Sequence, residues 1–240
     1  MNEDLVTRRY TSGEYAERNP DWDCGDSPWK AAHVAEMIER HSLSPSSITE
    51  IGCGAGGILL ILKTIFPKTR MTGYDIAPQL SAFWDAKQAS GIRFVLGDYF
   101  DQATDVPDLI LLLDVIEHLG APYDFLPRLR DRSRLVIFHI PLDLSSVSVL
   151  REAPLLYVRH KVGHLHYFTR SLALAMLDEC GFEVVDARYT GASYNSPGRR
   201  LKTRIAAAFR KVAYTCFGDA AVRLLGGETL IVLARSKLSS

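Results

Sequence analysis

The sequence predicts an α/β protein built on a largely parallel sheet, and three observations carry that expectation. Short β-type segments alternate with helical ones from about residue 47 to residue 140, a glycine cluster stands at the first strand-to-helix junction, and residues 109–115 form a long apolar run interrupted only by Asp114. Strands alternating with helices at this spacing build βαβ units, and right-handed crossovers then place helices on both faces of the sheet. A strand covered on both faces is apolar rather than alternating, as Leu109 to Leu113 of this run are.

Residues 1–27 are polar and aromatic with no sustained period, so a mostly irregular arm is expected there. Ser27-Pro28 predicts a helix start: the serine accepts from an otherwise unpaired N–H, and proline at the first helical position loses no hydrogen bond. Ala31, Val34, Ala35 and Ile38 then line up as an apolar stripe, and Ser44-Pro45-Ser46 ends it. A strand over 47–51 leads into Gly52, Gly54, Gly56 and Gly57, followed by a helix over 58–66 stopped by Pro67. Further strands are expected at 71–75, 92–96, 109–115 and 135–140, with helices at 78–89 and 123–130.

After Pro141 the rhythm is lost, and residues 142–168 read as a lid inserted over the carboxyl edge of the sheet. A helix over 170–180 stopped by Gly181 precedes a strand at 182–189, a helical insertion at 199–225 and a last strand at 228–235. Seven strands result, in one domain over 1–240: an N-terminal arm and helix (1–46), a core (47–141), the lid (142–168) and a C-terminal part (169–240).

Composition narrows the function classes. Of 240 residues, 47% are hydrophobic and 23% charged, which suits a folded enzyme and not a disordered chain. Formal net charge is zero, so no overall field draws the protein to nucleic acid or an anionic membrane. Cys24, Cys53, Cys180 and Cys216 form no C-x-x-C pair, as expected for reduced thiols in the cytoplasm. The N-terminus lacks a secretory h-region, and no aliphatic stretch approaches the roughly 20 residues of a membrane span. A cytoplasmic protein without an integral membrane segment is expected.

The chemistry-bearing stretch begins at Glu50-Ile51-Gly52-Cys53-Gly54-Ala55-Gly56. Glycines let a backbone turn sharply against a ligand, and a helix N-terminus offers free N–H groups. Asp75, at the tip of the next strand, is placed to accept both hydroxyls of a ribose. Gly52, Gly54 and Gly57 also satisfy G-x-G-x-x-G, so the loop by itself leaves a nicotinamide cofactor open. Gly97-Asp98-Tyr99-Phe100 closes the third strand, and Asp114-Val-Ile-Glu-His-Leu119 closes the fourth.

The ordered series EIGCGAGG, YDIAP, GDYF and LLLDVIEHL resembles class I S-adenosylmethionine-dependent methyltransferases, above all the small-molecule branch that includes the ubiquinone-biosynthesis O-methyltransferases. GHLHYFTRSLALAMLDECGFEVVD is similar to the C-terminal part of that branch. NPDWDCGDSPWKA resembles a stretch of a bacterial subset associated with surface-polysaccharide or secondary-metabolite pathways.

The resemblance implies a Rossmann-like doubly wound sheet of order 3-2-1-4-5-7-6 with its last strand antiparallel, and S-adenosyl-L-methionine as cofactor. It further implies that Gly52, Cys53, Gly54 and Gly56 line the cofactor, with Glu50 supporting the loop. Asp75 would hold the ribose, Ile76 the adenine face, Asp98 the adenine amino group, and Tyr99 the ring edge; Asp114 and Val115 would sit near the sulfonium. No family motif matches the arm, where Trp29 and Lys30 are candidates only.

A hydroxyl acceptor also has to lose its proton, and imidazole suits that task near neutral pH. His118 and His139 fall near the carboxyl ends of central strands and are the catalytic candidates, against structural readings as a loop-fixing and a packing residue. His164, His166 and Tyr157 in the lid are expected to touch the substrate, and no metal is expected, since no carboxylate lies close in sequence to His160, His164 and His166. The run Arg199, Arg200, Lys202, Arg204, Arg210, Lys211 reads as a solvated helix face before a phosphate- or membrane-binding one. The expected function is methyl transfer to a small-molecule acceptor, most simply at oxygen, without nucleic acid. Two rivals stand beside it. One is an NAD(P)-dependent oxidoreductase, for which Tyr157 and Lys161 have the Tyr-x-x-x-Lys spacing; the other is a non-catalytic cofactor-binding partner protein.

Overall fold

The structure, a computed structural model, describes residues 5–22, 24–85, 87, 90–192 and 201–237. Its seven strands are β1 (Ser47–Ile51), β2 (Arg70–Asp75), β3 (Arg93–Leu96), β4 (Leu109–Leu113), β5 (Leu135–Leu142), β6 (Phe182–Tyr189) and β7 (Glu228–Ser236). They form one sheet in the order β3-β2-β1-β4-β5-β7-β6. β1 to β5 pair in parallel, and β7 runs antiparallel to both β5 and β6. The expected order and the antiparallel last strand are both present.

β4 shows why this sheet is covered on both faces. Leu109, Leu111 and Leu113 pack on one side with Ile48, Leu59 and Val34, while Ile110 and Leu112 pack on the other with Leu126, Phe138 and Phe182. Successive side chains of a strand point to opposite faces, so an all-aliphatic strand requires two cores. The first face carries α3 (Ser27–Arg40) and α4 (Gly57–Ile65); the second carries α7 (Pro122–Arg130) and α10 (Arg170–Glu179). The remaining helices are α1 (Leu5–Thr11), α2 (Glu14–Arg18), α5 (Ser81–Asp85), α6 (Tyr99–Gln102), α8 (Ser146–Arg151), α9 (Ala153–Lys161) and α11 (Leu201–Leu225). Among the described residues no helix is long and apolar enough to cross a membrane.

Several elements differ from the sequence expectation. The arm contains the short helices α1 and α2 rather than irregular chain. The helix expected over 78–89 is a 3₁₀ turn, Pro78–Leu80, followed by the short α5; residues 86, 88 and 89 of that expectation lie outside the described residues. Residues 142–168 contain α8, opened by a capping box between Ser145 and Ser148, and α9. α9 has no buried residue, so it shows no apolar stripe for periodicity to detect. α11 is broken at Gly218, whose φ is 51°. β4 stops at Leu113 because Asp114 takes a positive φ of 54°, a conformation aspartate tolerates better than most residues. β5 runs on through Pro141 to Leu142, past its last pairing with β4 at His139, where no neighbour on that side needs a proline N–H.

Candidate active site

At the carboxyl ends of β1, β2 and β4 lies a cavity of about 510 Å³. Its floor is the β1–α4 loop. Gly52, Gly54 and Gly56 all have positive φ (73°, 51° and 76°), which lets the chain reverse within a few residues. The backbone N–H groups of Gly52 and Cys53 donate to the Tyr74 carbonyl at 2.8 and 3.0 Å, and Gly54 N–H donates to Asp75 Oδ2 at 2.9 Å. Trp84 Nε1 donates to the Gly54 carbonyl, and Lys87 Nζ to the Ala55 carbonyl, at 2.9 and 2.8 Å. Those two anchors carried no motif signal in the sequence. A Cβ on Gly54 would meet nothing within 4 Å, whereas one on Gly56 would lie 2.5 Å from the Phe94 ring.

The acidic groups of the wall are held in distinct states. Asp75 accepts from Gly54 and Ala77 through separate oxygens, at 2.9 and 3.1 Å; burial raises its pKa, against the lowering effect of these backbone donors. Glu50 is 1% exposed and its Oε2 has no partner among the described residues; burial pushes its carboxyl up to about 8. Asp114 is half-buried, with its side chain 25% exposed, and His139 and Lys30 beside it hold its carboxyl well below the usual carboxylate range. Lys30 Nζ lies 2.6 Å from Asp114 Oδ2, and His139 Nδ1 donates to Asp114 Oδ1 at 2.5 Å. His139 Nε2 is bonded to the Thr229 hydroxyl at 2.9 Å, and Thr229 in turn to Thr190. With both ring nitrogens engaged, His139 orients Asp114.

His118 ends the 3₁₀ turn Ile116–His118 that follows β4. Burial and the neighbouring His164 push its pKa down to about 4, and its Nδ1 makes no hydrogen bond among the described residues. Glu117 is fully buried, neither of its carboxyl oxygens makes a hydrogen bond among the described residues, and burial together with Asp114 raises its pKa well above normal. The Glu117 carbonyl accepts from Leu165 and His166 at 2.7 and 3.1 Å, which pins the extended lid segment to this turn. His164 thereby reaches the cavity wall, its Nδ1 donating to Asp143 Oδ2 at 2.6 Å.

The roof is the arm. Tyr10, Tyr15 and Trp22 line the cavity, as do Trp29 and Lys30 of α3. Arg9, Arg18 and Asn19 donate to the carbonyls of Arg159, His160 and Lys161 at 3.5, 2.5 and 3.3 Å. Carbonyls of a last helical turn lack partners inside the helix, so the end of α9 is a natural dock for these donors.

The cavity thus gathers Glu50, Gly52, Cys53, Gly54, Asp75, Ile76, Asp114, Val115, His118, His139 and His164 from the sequence-predicted set. Other members of that set lie elsewhere. Asp98 does not line the cavity: its Oδ1 caps α6 by accepting from Phe100 N–H at 2.7 Å. Tyr99 is 3% exposed in the core, edge-on to Tyr74, and Gly56 lies behind the loop against Phe94. His166 does not share the cavity with His164, since its Nε2 donates to the Leu119 carbonyl at 2.9 Å. Tyr157 is 60% exposed on α9, with Lys161 Nζ 5.8 Å from its ring centre, and neither lines the cavity. The Tyr-x-x-x-Lys spacing is one exposed helical turn. Glu117, Asp143 and Tyr10 were not anticipated: Glu117 stood unused inside the DVIEHL motif, while Asp143 and Tyr10 had no local signal. Of the basic run, Arg199 and Arg200 lie outside the described residues.

A mainly parallel sheet of order 3-2-1-4-5-7-6, with a glycine loop after β1 and an aspartate at the end of β2, defines the class I S-adenosylmethionine-dependent methyltransferase fold. A family model described as a methyltransferase domain matches residues 26–187, and the chain belongs to that family. It is similar to a malonyl-[acyl-carrier protein] O-methyltransferase of Anoxybacillus flavithermus, 28% identical over 134 residues, covering 54% of this chain and 50% of that protein. The chain therefore spans about half the length of this curated relative.

Two solved structures share the fold. The plantazolicin methyltransferase BpumL, in complex with a monoazolic desmethylPZN analogue and S-adenosylhomocysteine, has a TM-score of 0.64 at 15% identity, covering 97% of this chain and 94% of its own. The N-methyltransferase NodS of Bradyrhizobium japonicum, with S-adenosylhomocysteine, has a TM-score of 0.54 at 16% identity, covering 86% and 85%.

Gly56→Ala tests the loop. The new methyl would strain a φ of 76° and lie 2.5 Å from Phe94, which is stacked on Trp84. The expected loss is about 2 kcal/mol or more of unfolding free energy in urea titration. A variant as stable as the parent would show that the loop has room to spare.

Proposed function

We propose that the protein transfers a methyl group from S-adenosylmethionine to an oxygen of a small-molecule acceptor. The observation that carries the reading is one cavity lined both by the glycine loop and Asp75 and by Glu117, His118 and His164. The lining fits the cofactor's chemistry. Asp114 keeps a negative charge that favours a ligand bearing sulfonium and ammonium charges, and Glu50 and Asp75 add carboxyl groups that can accept hydrogen bonds from it. Buried polar atoms of Tyr10, Trp29, Glu50 and His118 have no partner among the described residues, which suits a polar ligand.

In this reading Asp75 accepts the ribose hydroxyls with the lone pairs left by Gly54 and Ala77, and Gly52 and Gly54 let the backbone approach the methionine portion. When bound, S-adenosylmethionine supplies a methyl already activated by its sulfonium. What remains for the protein is alignment, exclusion of water and handling of the acceptor's proton. Asp114, fixed by Lys30 and His139, keeps a negative charge in the cavity wall. His139 is a positioning residue, and His118 is the side chain that meets the acceptor's hydroxyl. Oxygen as the acceptor atom agrees with the activity in the name of the curated relative. The arm and residues 142–168 act as a lid, joined through the end of α9.

The direct test is mass spectrometry of bacterial cell extract incubated with enzyme and deuteromethyl-labelled S-adenosylmethionine; a labelled small molecule is expected, and label confined to unreacted cofactor sinks the proposal. Asp75→Ala is expected to weaken S-adenosylhomocysteine binding by at least about tenfold in calorimetry, since buried ribose hydroxyls lose their acceptor. His118→Ala is expected to lower turnover by about 10²-fold or more while the cofactor Kd stays within about threefold; an unchanged rate removes His118 from the reaction.

A further inference from the structure

We infer that Glu117, His118 and His164 form a binding site for one divalent transition-metal ion in the wall of the cavity. One nitrogen from each histidine and a carboxylate oxygen all lie within 4.8 Å of one another. Glu117 Oε1 is 3.8 Å from His118 Nε2 and 3.9 Å from His164 Nε2. Bonds of about 2.0–2.2 Å to a tetrahedral ion would bring such donors to roughly 3.3 Å apart, so closure needs only small side-chain shifts.

A second, independent observation points to a ligand here. The Glu117 carboxyl is fully buried, lines the cavity and has no hydrogen-bond partner for either oxygen among the described residues. A carboxyl that only tied the fold together would meet backbone or side-chain donors; this one lies 3.8 and 3.9 Å from two imidazole nitrogens and makes no hydrogen bond among the described residues. The surroundings also have the form that metal ligands require. His164 donates its Nδ1–H to Asp143 Oδ2 at 2.6 Å, which fixes the ring and leaves Nε2 toward Glu117. The Leu165 and His166 N–H bonds to the Glu117 carbonyl clamp the two ligand-bearing segments together.

Two nitrogens and one carboxylate select a zinc-like or iron-like ion over magnesium or calcium, which prefer oxygen. Three protein ligands leave a position open to the cavity, where a hydroxyl or carboxyl oxygen of the acceptor would bind, so that with the ion in place His118 acts on the acceptor's hydroxyl through the metal and not as a free base. That use of the ion rests on the methyl-transfer reading; the ion's binding does not.

The test uses the full chain, free of affinity tag and stripped with chelator. Calorimetric titration with Zn²⁺ is expected to give one ion per chain with a micromolar or tighter Kd, and Co²⁺ to give visible d–d absorption from the same site. Glu117→Gln and His164→Ala should each weaken Zn²⁺ binding by about 30-fold or more, and Asp143→Asn, which leaves all three ligands in place, by about tenfold. Each variant should still bind S-adenosylhomocysteine with the parent's affinity, which shows the fold intact. Absence of Zn²⁺ binding by the parent chain overturns the site, as does binding that survives all three substitutions, which would place the ion on surface histidines. Zn²⁺ binding by a chain that binds no S-adenosylhomocysteine would instead remove the methyl-transfer reading and leave the site standing.

Discussion

The hydrogen bond from Gly54 N–H to Asp75 Oδ2 ties the loop after β1 to the tip of β2, and the shape of the cavity depends on it. Gly52 and Cys53 already donate to Tyr74, so three successive residues of the loop are bound to the neighbouring strand. Trp84 and Lys87 pull the next two carbonyls the other way. A loop held from both sides cannot relax into the space beside it. That space stays open although every wall around it is packed, and backbone with positive φ at Gly52, Gly54 and Gly56 is the condition for the arrangement.

Charge inside this space is organised by burial. Glu50 and Glu117 lie where water does not reach, and burial favours their neutral forms. Asp114, which is a quarter exposed, is kept ionised by Lys30 and its hydrogen bond to His139. It therefore differs from Glu50 and Glu117 because it has a lysine and an imidazole at hydrogen-bond distance. The Asp114–His139–Thr229–Thr190 chain runs from β4 through β5 to β7, so the antiparallel end of the sheet supports the parallel end where the chemistry is proposed.

The roof is made of parts that are weakly periodic by themselves. α1, α2 and α9 are short or lack a buried face, and they are joined mainly through arm side chains donating to the last carbonyls of α9. Contacts of this kind leave little trace in an apolar pattern. The same holds for Asp143, whose carboxylate orients His164. The glycine loop and Asp75 were legible because their chemistry demands particular residues at particular points of a strand–turn–helix unit. Asp98 and Tyr99 matched a pattern, but the local turn gave Asp98 a helix to cap and Tyr99 a core to fill.

Sequence alone determined the α/β class, the seven strands and the acidic and glycine-rich rim, because burial on both faces of a sheet and positive φ in a tight loop restrict which residues can stand where. Tertiary structure decided which of the candidates meet. Glu117, His118 and Asp143 are brought to His164 only when the lid segment bonds to the turn after β4, and Tyr157 is carried away on an exposed helix. Such meetings are set by distances between chain segments far apart in sequence, which no local pattern of residue types encodes.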